Sequence, residues 1–171
     1  MEVLVNMKTR HLTIYALMLA LGVIANYIEH LIPLPFLFPG VKLGLANSIG
    51  LIVLHYMGRK SYLLFGLMRV LLSALLFTGF GSTFMISLGG VICASFITLL
   101  VVTLTKSSIY GISAAGAVFH GLGQIFVVCI LYQTIQMLYY MLILTISGII
   151  TGLLMAFVAS LLLLKLPKNL I

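Results

Sequence analysis

The chain has 171 residues, of which 63% are hydrophobic and 6% charged, and its mean hydropathy is +1.33. Soluble domains carry roughly 25% charged residues, so this composition excludes a water-facing globular surface. At about 20 residues per crossing, the length fits about six membrane helices in a single domain.

The net charge of +7 comes from nine Lys/Arg against Glu2 and Glu29. In a chain this apolar the excess belongs to membrane orientation and not to nucleic acid. Cys93 and Cys129 lie inside apolar runs with no CxxC or Cys/His spacing, which supports neither a disulfide nor a metal site. The first apolar run is too long for a signal-peptide core and is followed by several more, so it reads as a retained first span.

Runs of this length without two-residue alternation predict helices, the form in which a spanning segment satisfies its own backbone. The reading is an all-α integral membrane protein with six transmembrane helices over residues 11–32, 43–57, 62–80, 84–104, 109–131 and 137–164. Pro33, Pro35 and Pro39 break the chain after the first span. Phe36, Leu37 and Phe38 are too apolar for a solvated loop, and predict a segment folded onto the bundle mouth. Gly58-Arg59-Lys60, "GFGST" (Gly79 to Thr83), "TKSS" (Thr105 to Ser108) and "YQTIQ" (Tyr132 to Gln136) mark the remaining turns.

With six spans, one side carries Lys8, Arg10, Arg59, Lys60, Lys106, Lys165 and Lys168, and the other carries Lys42 alone. That asymmetry places both termini in the cytoplasm of a multi-pass cell-membrane protein. Small residues four apart predict close helix contacts: Ala16 and Ala20, Gly40 and Gly44, Gly90 and Ala94, Gly148 and Gly152. Each pair serves packing inside this bundle or docking to a second membrane protein, and Ala16 with Ala20 best suits docking.

Polar groups inside an apolar chain mark candidate sites. Asn26, Glu29, His30, Lys42 and Asn47 fall near the outer mouth. Glu29 and Lys42 either pair with each other or face a ligand. Arg69 sits mid-span, where a charge is costly and points inward. It bonds helix carbonyls, Ser73, Asn47 or Gln124, reaches toward an interface, or binds an anionic group. His120 and Gln124 share one face of the fifth span. Thr78, Ser82, Thr83, Gln133 and Gln136 stand at the outer ends. The sequence contains no phosphate-binding loop, no nucleophile beside a base and no Asp, so no catalytic residue or cofactor is assigned.

"PGVKLGLANSIGLIVLHYMG" (Pro39 to Gly58) and "GAVFHGLGQIFVVCIL" (Gly116 to Leu131) resemble the heptaprenyl diphosphate synthase component I family, also called the Gx transporter family. The family pattern has Asn after the His, where this chain has Gly121. That family is similar to the substrate-binding S components of energy-coupling factor (ECF) importers. The resemblance implies a six-helix bundle that binds a small molecule near its outer face and docks through small residues of the first span. Ala16 and Ala20 match that docking pattern. The implied partners are an ECF-type transmembrane T subunit and two ATPases. The family's name implies the alternative, a non-catalytic membrane component of a heptaprenyl or polyprenyl diphosphate synthase. A catalytic synthase needs magnesium-binding carboxylates, which this chain lacks. The candidate substrate-binding residues are Asn26, Glu29, Lys42, Asn47, Arg69, His120 and Gln124.

Overall fold

The computed structural model describes the backbone of residues 2–31 and 43–167, and side chains from Thr9 onward within those ranges. Every regular element among them is helical: α1 (Glu2–Leu31), α2 (Leu45–Ser73), α3 (Ser82–Leu104), α4 (Ile109–Tyr132) and α5 (Tyr140–Lys165). A π-helical turn, Ala74–Thr78, extends α2, and a 3-10 turn, Ile135–Tyr139, precedes α5. Five helical stretches are long and apolar enough to cross a membrane: Thr9–Leu31, Leu45–Thr78, Ser82–Leu104, Ile109–Tyr132 and Ile135–Lys165.

Six separate spans were expected; the second and third lie within the one stretch α2, as two helices that meet across a non-helical kink. The reason lies at Gly58, whose φ of 80° and ψ of −174° are non-helical inside α2. Only glycine enters that region without strain. The two halves of α2 do not continue in line. A Cβ on Gly50 would lie 3.4 Å from the Tyr62 ring and 3.5 Å from the Phe65 ring. Residues 50 and 65 of a straight helix would stand about 22 Å apart at ~1.5 Å per residue. Contact across that interval means that the two halves of α2 fold back on each other at Gly58, as two helices of a hairpin.

The remaining contacts fix the direction of each helix. Gly22 of α1 abuts Phe65 and Arg69, Asn26 Nδ2 donates to Ser73 Oγ at 2.9 Å, and Tyr27 stacks on Phe77 with ring centroids 4.3 Å apart. Both partners rise in number together, so α1 runs parallel to the second half of α2. Against α3 the order reverses: Tyr62 meets Thr98, and Gly66 meets Val91 and Ser95. The first half of α2 runs beside α5, with Gly44 near Met155 and the Tyr56 hydroxyl donating to Pro167 O at 3.1 Å.

Helices α3, α4 and α5 join through glycines. Gly89 and Gly123 face each other so closely that a Cβ on Gly123 would lie 2.5 Å from Gly89 O. Gly116 sits against Thr98, and Gly148 and Gly152 press on the α4 backbone at Val118 and Ala114. Ser113 Oγ donates to Gly152 O at 2.7 Å. Gly90 and Gly152, from two of the small-residue pairs, thus serve packing within the bundle. The alternation of directions gathers Arg10, Arg59, Lys60, Lys106 and Lys165 at one end. Outward faces are apolar throughout, as at Leu17, Phe96, Phe126 and Ile150, which suits a lipid surround.

Candidate functional site

A cavity of about 90 Å³ opens between the helices in the half of the bundle opposite the basic end. One water needs roughly 10–15 Å³ of such volume, so the space suits a small molecule or several waters. Its mouth carries Asn26, Glu29 and His30 from α1, and Thr78 and Thr83 from either side of the α2–α3 turn. Asn47 lies on the first half of α2 and Arg69 and Ser73 on the second. His120 and Gln124 project from α4.

The fold-back at Gly58 creates this arrangement. It brings Asn47 and Arg69 of one element to one space, although they lie far apart along the chain. Gly22 gives the Arg69 stem room, with Arg69 Cδ 3.6 Å from where a Cβ would stand. Gly90 does the same for α4, since a Cβ there would meet the His120 ring at 2.8 Å and Gln124 at 2.9 Å.

The polar groups divide by what they bond. Glu29 accepts a hydrogen bond from Leu45 N at the start of α2. Gly44 precedes that helix and has no side chain to cap it, so α1 supplies the cap, a favourable place for a carboxylate. Asn26 and Ser73 satisfy each other. Ser147 and Thr151 donate back to their own helix. Arg69 is 8% exposed, and its Nε has no hydrogen-bond partner. Glu29 is near enough to interact with it electrostatically, yet no carboxylate lies within ion-pair distance of Arg69 among the described residues. The Gln124 amide is also 8% exposed, lines the cavity and makes no hydrogen bond among those residues. His120 does have an interaction partner.

Six of the seven residues named from the sequence as substrate-binding line this cavity: Asn26, Glu29, Asn47, Arg69, His120 and Gln124. Lys42, and the Phe36–Phe38 segment expected to cover the mouth, lie outside the described residues. Ser87 of α3, Ser113 of α4, and Ser147 and Thr151 of α5 also line the wall and escaped sequence reasoning. Ser147 and Thr151 each precede a packing glycine, Gly148 and Gly152, and that repeat was the signal available. Ala16 and Ala20 stand exposed on α1, away from the cavity. No group of three or more His, Cys, Asp or Glu able to hold a metal occurs among the described residues.

The helices and the cavity together define a polytopic helical membrane protein with an open, partly polar site and no paired carboxylates among the described residues. Residues 18–162 match the family described as heptaprenyl diphosphate synthase component I. The chain belongs to that family. No curated protein matches it, and no solved structure does.

Proposed function

We propose that the chain is the non-catalytic membrane component of a polyprenyl-diphosphate synthase system, acting with a separately encoded catalytic subunit. The family match over residues 18–162 carries this reading. The chemistry agrees with it: synthase catalysis holds magnesium through carboxylates, and this chain has Glu2, Glu29 and no Asp. Its contribution is then to hold the catalytic subunit at the bilayer and to bind a ligand in the cavity.

The test adds the chain, in lipid nanodiscs, to the catalytic subunit from the same source and measures prenyl-chain products. Increased yield or altered chain length is the expected result. Unchanged products together with no co-purification would sink the proposal.

Six crossings belong to the same reading. The fold-back at Gly58 supports them, because it turns the second apolar stretch into an antiparallel pair. Positive charge collects on cytoplasmic loops, so the end bearing Arg59, Lys60 and Lys106 faces the cytoplasm and the cavity opens outward. In a background without Cys93 and Cys129, Ser107→Cys should resist an impermeant maleimide in intact cells while Ser82→Cys reacts. The reverse pattern overturns the orientation.

One observation favours a second reading, an importer's substrate-binding subunit that docks on an ECF-type T subunit with two ATPases. Ala16 and Ala20 form a small-residue site on the exposed face of α1, where close helix approach is possible. Ala16→Trp with Ala20→Trp should then abolish assembly with such a module and spare ligand binding. Normal assembly of the double variant removes this reading.

A further inference from the structure

Arg69 is charged and more than nine-tenths buried, its Nε has no hydrogen-bond partner, and no carboxylate pairs with it among the described residues. It does not escape to an interface, because its stem passes Gly22 and its head lines the cavity. Leaving a guanidinium unpaired at membrane depth is costly. The same cavity is lined by Gln124, which is buried, and by Asn47, and neither side chain makes a hydrogen bond among the described residues. One guanidinium and two amide side chains, each amide able to donate as well as accept, therefore share one space.

The missing acceptor has a definable charge. Among the described residues Arg69 is the only Lys or Arg lining the cavity, and Glu29 adds a negative charge near the mouth. A diphosphate carries several negative charges and is ordinarily held by several cations or by magnesium on carboxylates. One guanidinium with neutral amides instead matches a single oxyanion group, which Arg can bind in two-pronged fashion. The volume of about 90 Å³ suits a small molecule.

We propose that the cavity binds a small molecule bearing one oxyanion group, a carboxylate or a phosphate, with Arg69 pairing the charge and Gln124 and Asn47 donating neutral N–H groups. The lipidic product of a synthase would then not occupy this site. The inference rests on the cavity being a ligand site, and goes further in assigning the charge of what it holds.

The experiment follows thermal unfolding by circular dichroism in nanodiscs, with butyrate, inorganic phosphate or butyramide added at equal concentration and ionic strength. Butyrate or phosphate should raise the wild-type midpoint by roughly 3 °C or more, and butyramide should not. Arg69→Met, similar in length but uncharged, should lose the response. Gln124→Met should weaken apparent affinity about tenfold, as expected for losing one hydrogen bond to a charged group. If Arg69→Met does not fold, Arg69→Lys carries the test and should retain charge but bind more weakly.

An equal response to butyramide leaves a ligand site but overturns the anion assignment. No response to any of the three compounds overturns both the assignment and the ligand-site reading. An anion response that persists undiminished in the Arg69 variant places the anion elsewhere and overturns the proposal. Carboxylate and phosphate sources are told apart by which of the two probes acts.

Discussion

Along the α3–α4–α5 seam the helices meet backbone to backbone, whereas α1 meets the second half of α2 through side chains. In the seam, Gly89, Gly116, Gly123, Gly148 and Gly152 remove every Cβ that would hold the helices apart. On the other side, Phe65 fills the notch at Gly22, and polar groups pair, as Asn26 does with Ser73. Lipid gives no hydrophobic drive for helix association, so contact must come from close packing or hydrogen bonds. This chain uses the first to build a framework and the second beside its cavity. The glycine seam lets α3, α4 and α5 close up, with Ser113 Oγ bonding Gly152 O across it, whereas an interface built of side chains leaves gaps where a ligand fits.

Breaking the seam should cost most. Gly123→Val places a branched side chain where even a Cβ meets Gly89 O and Cys93. The backbone of α3 cannot yield cheaply, so the loss should exceed the ~1–3 kcal/mol usual for overpacking. The expected result is no monodisperse protein by size-exclusion chromatography. A well-behaved variant would show that the seam is looser than described.

Gly58→Ala separates conformation from space. Nothing lies within 4 Å of a Cβ there, so the expected cost arises from φ alone. It should be about 1–3 kcal/mol, read as a lowered thermal midpoint. The substitution should also loosen contact between the Gly50 and Phe65 levels. Disulfide formation between cysteines placed at Gly50 and Tyr62 would report it, and an undiminished yield would argue against a glycine-dependent fold-back.

The smallest effect should come from the polar side. Asn26→Ala, Ser73→Ala and the double variant form a cycle whose coupling should be about 0.6 kcal/mol, the average found for hydrogen bonds between membrane helices. Zero coupling would mean that these residues serve a ligand and not the α1–α2 contact. A value well above this would make the hydrogen bond part of the framework.

Much of the candidate site was legible because a polar residue in an apolar run has so few explanations. Asn26, Asn47, Arg69, His120 and Gln124 stand out against their neighbours on composition alone, and all five line the cavity. The α5 contribution was not legible. Ser147 and Thr151 are small and bond their own helix, so they carry no signal that separates a cavity wall from ordinary packing. Glu29 was read as a partner of Lys42 or of a ligand. Its bond to Leu45 N as the cap of a different helix depends on a contact that spacing does not reveal.

By itself the sequence determined the solvent, the helical class and the approximate length of each apolar stretch. Those follow from composition and from the backbone's need to bond itself in lipid. It also marked Gly58 as a turn, because Arg and Lys follow a glycine there. Tertiary structure alone decided how the two halves of α2 pack against each other after folding back at that turn. It likewise decided that Arg69, with no hydrogen-bond partner at its Nε, lines a space shared with Asn47 and Gln124. The direction of a long side chain in lipid depends on which neighbours leave room for it. Here Gly22 and Gly90 leave that room, and their partners are distant in the chain.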